Sequence, residues 1–99
     1  PGVDISAKSG SPVRVIHDGL VFRTIPMAGY GDVVFVKHGK YITAYGNLSR
    51  IQVRENTLVR AGEVIGLSGD KDSTKGEILF FMIRESNQYL NPEEWIKLR

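Results

Sequence analysis

Asp32-Val33-Val34-Phe35-Val36-Lys37-His38-Gly39-Lys40-Tyr41-Ile42-Thr43-Ala44-Tyr45-Gly46-Asn47-Leu48 holds two runs of β-branched and aromatic residues joined through a His-Gly-Lys turn. Runs of this composition, punctuated by glycine, read as paired strands. Towards the N-terminus, Val13 to His17 leads through Asp18-Gly19 into Leu20 to Thr24, and an Asp-Gly pair between two β-prone runs predicts a hairpin. A Pro26 to Gly31 loop follows. Towards the C-terminus, Val59, the Ala61-Gly62-Glu63 turn and Val64 to Leu67 read as a further short pair, and Glu77 to Arg84 as the last long strand. Asn91-Pro92-Glu93-Glu94-Trp95-Ile96 carries the only helix signal. There Asn91 suits an N-cap, Pro92 the first helical position, and the two acids the positive end of the dipole. Trp95 is expected to anchor that short helix to the sheet. Strands at this spacing predict an all-β domain, a twisted antiparallel sheet that is partly barrel-like.

The chain has 99 residues, 41% of them hydrophobic, and no cysteine. That length supports one core and one domain, residues 1–99, with no linker, repeat or low-complexity tract. Without cysteine, a disulfide scaffold, a cysteine-ligated zinc finger and a thiol nucleophile are all excluded. Thirteen Lys and Arg against eleven Asp and Glu give a net charge of +2, too dispersed to be a nucleic-acid footprint. No apolar run approaches the length of a transmembrane helix, and no signal-peptide pattern opens the chain. Because Pro1 is not a start methionine, the chain reads as a mature product or a domain of a longer protein. Only His17 and His38 are available for imidazole chemistry, and each precedes a glycine-containing turn. They read as turn-flanking, partly exposed residues rather than a metal pair.

Seven short pieces, in order along the whole chain, resemble the LytM/lysostaphin-type peptidoglycan endopeptidase domain, also found in EnvC-like murein hydrolase activators. They are Gly2-Val3-Asp4, Gly10-Ser11-Pro12-Val13 and Asp18-Gly19-Leu20-Val21, then Gly29-Tyr30-Gly31 with Val33 to Gly39. Tyr45-Gly46-Asn47-Leu48-Ser49, Val59 to Gly66 and Asn91-Pro92 complete the set. The resemblance implies a twisted antiparallel sheet with a long groove. In active members it implies zinc-assisted amide hydrolysis, which needs three protein ligands, an open fourth position and groups to handle protons.

Carried over position by position, Asp4 is a retained ligand position, and its partner histidine would precede Pro1. Phe80 stands at the other ligand position, while Ile78 and Asn47 stand at the two catalytic histidine positions. Neither phenylalanine nor isoleucine has a lone pair for a metal, so the resemblance implies a non-catalytic member with no cofactor.

Strand alternation places Ile78, Phe80 and Met82 on one face and Leu79, Phe81 and Ile83 on the other. By resemblance the first set lines the groove, and Tyr41, Thr43, Tyr45 and Asn47 are expected to share that face. Asp4, Tyr30 and Lys75, the last in the polar Lys71-Asp72-Ser73-Thr74-Lys75 loop, are expected at its rim. This apolar, aromatic face has two readings: a groove for a protein partner, or plain core beneath a covering segment.

The partner reading leads, with a cell-wall amidase or division complex as the partner and a bacterial envelope, periplasmic location by resemblance. A peptidoglycan-binding scaffold is the alternative. A zinc endopeptidase keeps only Asp4 in its favour. The Val59 to Gly66 segment also resembles biotinyl and lipoyl carrier hairpins, but the lysine tip of those carriers is absent. The chain is expected to be the C-terminal domain of a longer envelope protein.

Overall fold

The computed structural model describes residues 2–85 and 88–90. The helix expected at Asn91 to Ile96, with Trp95, lies outside the described residues. Ten strands run in chain order: β1 Val3–Ser6, β2 Pro12–Arg14, β3 Gly19–Met27, β4 Gly31–His38 and β5 Tyr41–Leu48. They continue as β6 Arg50–Ile51, β7 Thr57–Val59, β8 Val64–Leu67, β9 Ile78–Glu85 and β10 Gln88–Leu90. Among the described residues there is no helix, as the all-β expectation requires. Seven strands form one antiparallel sheet in the order β1-β9-β5-β4-β3-β7, with β10 beside β1 along the same edge of β9. The other three form a small second sheet, β2-β8-β6.

The stretch from Asp32 to Leu48 is the hairpin its sequence predicts, closing at His38 opposite Tyr41 with Gly39 at φ 62°. A positive φ at that turn is what glycine permits without strain. Cross-strand pairing then organises the large sheet into transverse rows. Val34, Tyr45, Phe81 and Val3 lie opposite one another across four strands, and Val36, Thr43 and Ile83 across three. These rows face the core, where they pack with Val13, Val15 and Ile65 from the small-sheet side of the molecule. Phe81 and Ile83 are at most 2% exposed, so the alternation read on this strand assigns its core side correctly.

Two local expectations differ from the structure. The Asp18-Gly19 pair makes no hairpin: β2 pairs with β8 in the small sheet, whereas β3 pairs with β4 and β7 in the large one. Residues between them carry the chain from one sheet to the other, and Asp18 instead accepts the Ala61 amide on its carboxylate at 2.7 Å. Likewise β7 and β8 do not pair with each other, although a turn does join them, with Glu63 N donating to Arg60 O. In both cases local turn chemistry was satisfied while the partner strand was chosen by the distant core. The single expected sheet is thus supplemented by a small second layer that closes one side of the core.

Candidate functional site

The outer face of the large sheet is built by the alternate rows. Gly46, Phe80 and Asp4 lie across β5, β9 and β1, and Phe35, Ala44 and Met82 across β4, β5 and β9. Small residues on β5 make this face concave. At Gly46 a Cβ would stand 3.1 Å from the Phe80 ring, so the bare glycine lets that ring lie over the strand. Tyr30, placed by the turn between Gly29 and Gly31 at positive φ, sits with its ring 4.7 Å from that of Phe80, tilted 49°. Tilted pairs at this distance avoid face-to-face repulsion between the ring quadrupoles. Beyond the pair opens a cavity of about 250 Å³ floored by Val33, Phe35, Ala44 and Met82, with Arg84 at its border. Phe80 and Met82 are half-buried and Met27 is 39% exposed at the edge, so apolar surface remains open here among the described residues.

Of the residues expected at the groove, Asp4, Tyr30, Lys75, Phe80 and Met82 stand on or beside this face. Tyr45 does not. Its partner on β9 is Phe81, so its ring belongs to the core row, and it is 1% exposed. Its ring lies 5.4 Å from that of Phe81, and its hydroxyl accepts hydrogen bonds from Ile16 N at 3.2 Å and Thr43 Oγ1 at 3.0 Å. Tyr41 and Thr43 share that inward parity, opposite Glu85 and Ile83. The expectation failed because two strands read separately carry no common phase; only the observed pairing of Gly46 with Phe80 fixes it.

Asn47 is also corrected, for a different reason. The β4–β5 register shifts between Asp32 and Val34, so Gly46 and Asn47 together bulge against one residue of β4. Asn47 takes φ 58° and is fully buried. Its amide donates to Gly76 O at 2.9 Å and Ile78 O at 2.8 Å, and its carbonyl accepts Lys75 N at 2.8 Å. It is a staple for the loop leading into β9 rather than a groove contact. Ile78 starts β9, half-buried, with its carbonyl held by that staple.

The staple delivers Lys75 to the groove. Its ammonium is 3.2 Å from Asp4 Oδ2, 5.8 Å from the Tyr30 ring centre and 6.0 Å from that of Phe80. Next to it, Glu77 accepts hydrogen bonds from Ser9 Oγ at 2.6 Å and Ser9 N at 3.1 Å. These bonds, the hydroxyl's first, hold its carboxyl below the ordinary glutamate value.

Zinc, which the resemblance implies for active members, does not fit the residues described. Asp4 offers one carboxylate, a phenyl ring stands opposite it on β9, and an ammonium lies beside it. Among the described residues no three His, Cys, Asp or Glu side chains converge as a metal site would require.

His17 and His38 lie on another edge, with ring centres 6.2 Å apart. His38 Nδ1 is 2.8 Å from Asp18 O and Nε2 is 2.8 Å from Thr43 Oγ1. Because a carbonyl only accepts, Nδ1 donates to Asp18 O, and the ring ties the crossover turn to β5.

Sequence reading missed Gly46, Ala44 and Arg84 as parts of the face. The signal for Gly46 and Ala44 was present as small residues flanking Tyr45, but it acquires meaning only once β5 is phased against β9.

An all-β domain with an open apolar cavity on one sheet face and a core on the other fits the LytM-type peptidase-like class. The match to peptidase family M23 covers residues 1–92, and the chain belongs to that family. It is 38% identical over 96 residues to the murein hydrolase activator EnvC of Escherichia coli, covering 96% of this chain and 23% of that protein. It is 36% identical over 92 residues to the DD-carboxypeptidase/endopeptidase Mpg of Neisseria meningitidis, covering 92% of this chain and 21% of that protein. A zinc-containing peptidase from Vibrio cholerae superposes with a TM-score of 0.82 at 29% identity, over 90% of this chain and 28% of that one. The chain therefore spans under a quarter of the length of these two curated relatives.

Proposed function

We propose that this domain is a non-catalytic binding module in bacterial cell-wall remodelling, which engages an envelope protein through the groove. The partner of this reading is a peptidoglycan amidase that the domain activates, in the periplasm and in the service of division. The observation that carries it is the apolar floor of half-buried Phe35, Phe80 and Met82 over buried Ala44, with an ammonium at one end and Arg84 at its border. An apolar centre with a polar rim is how protein-recognition surfaces are built. The likeness to EnvC, named a murein hydrolase activator, supports a regulatory role; the likeness to Mpg, named a peptidase, is the counterweight. Phenylalanine at position 80, isoleucine at 78 and asparagine at 47 favour the first. None of the three titrates near neutral pH as a general base must.

The test is capture of a purified peptidoglycan amidase by the immobilised domain. The expected result is retention and stimulation by the native chain, with at least a tenfold loss for Phe80→Glu at unchanged circular dichroism. Equal retention by both sinks the reading. Sedimentation with bare sacculi, in the absence of any protein partner, would instead favour a peptidoglycan-binding scaffold.

A further inference from the structure

We infer that Lys75 is a resident cation at the remnant metal site, closing it to divalent ions, and that Asn47 is its positioning residue. Three positions that the family resemblance gives to metal and catalysis converge on this one lysine. Asp4 holds its ammonium at 3.2 Å. Phe80 presents a ring centre at 6.0 Å, with Tyr30 at 5.8 Å, both within the ~6 Å reach of a cation–π contact. Asn47 accepts its backbone N–H at 2.8 Å and anchors Gly76 and Ile78 on either side of the following turn.

The consequence is electrostatic. The Asp4 carboxylate already has a compensating positive charge, carried by a backbone that is fixed independently of the ion pair. A divalent cation approaching Asp4 must either displace that ammonium or sit beside it against like-charge repulsion. Restoring a histidine at position 80 therefore does not restore a metal site while Lys75 remains. Exposed ion pairs contribute little to stability, and this one is partly exposed, so the role of Lys75 is exclusion rather than folding.

The probe is zinc alone, titrated calorimetrically into the full chain. Four variants are compared: Phe80→His, Phe80→His/Lys75→Met, Phe80→His/Lys75→Arg, and Phe80→His/Lys71→Met as a control for net charge. The expected result is at least tenfold tighter zinc binding on loss of Lys75, with no gain from Lys75→Arg or Lys71→Met. Equal affinity with and without Lys75, whether weak or tight, overturns the inference, as does an equal gain from the Lys71 control. Should the Phe80 variants not fold, manganese is titrated into the native chain and into Lys75→Gln, and broadening of the Asp4 amide resonance is followed. Broadening confined to Lys75→Gln supports the inference, and equal broadening in both overturns it. No partner protein enters these measurements, so their failure is separable from failure of the groove reading.

Discussion

Asn47 is a buried polar side chain whose work is structural. Asparagine tolerates a left-handed backbone better than most residues, and its amide satisfies two carbonyls and one N–H of the 75–78 turn at once. Asn47→Ala leaves those groups unpaired in a buried setting and adds the conformational penalty. The expected loss is about 2–4 kcal/mol in urea unfolding, and Asn47→Gly, relieved of the backbone term, is expected to lose less. Glu77 makes a second, softer fastening. Its carboxyl, held below the ordinary value by Ser9, contributes above the unfolded glutamate value and releases the Lys8 to Ser11 loop as pH falls through the lowered one. The Ser9 amide shift is expected to titrate with a midpoint below 4.5, and Glu77→Gln to abolish that titration. None of these bonds could be read from the sequence, which by resemblance put Asn47 at a catalytic histidine position and took Glu77 as the start of a strand.

At the scale of the element, β9 joins core and groove because its two faces are both apolar but answer different neighbours. Phe81 and Ile83 meet Tyr45 and Thr43 in the core, while Phe80 and Met82 meet Gly46 and Ala44 outside. That division was legible in the chain as the six apolar residues from Ile78 to Ile83, too continuous for a strand with one wetted face. The facing strand was not legible in the same way. β5 is buried from Thr43 through Leu48, so burial alone gives it no polar side to mark the outside. Only its small residues distinguish the faces. Truncation separates the two sides of β9 experimentally. Phe81→Ala empties a core position and is expected to cost about 3–5 kcal/mol by chemical denaturation. Phe80→Glu acts on the open face, so its effect should fall on binding.

The whole molecule is a large sheet whose two sides have been given different tasks, with a small three-stranded layer sealing the core side. The class of fold was legible from glycine-punctuated β runs. Which strands became neighbours was not, since β2 and β3, adjacent in the chain, belong to different sheets, and the burial that separates them is a property of the assembled core. The bulge at Gly46 and Asn47 has its effect at this scale too. By inserting one unpaired residue it changes the parity of β5, so that Leu48, 4% exposed, ends in the core after Tyr45 has already been there. Deleting Asn47 should let β5 pair without a bulge and keep Leu48 on the core side, since Leu48 then follows Gly46 directly, so the amide spectrum stays dispersed while loss of the 75–78 staple lowers the urea midpoint. Exchanging Asn47 for another polar residue should only weaken the fold. What the architecture uses at this point is a side chain that fastens the 75–78 turn. A bulge that keeps the phase of a strand while turning one side chain inward separates the shape of a sheet from the chemistry of its face, and leaves that face free to vary.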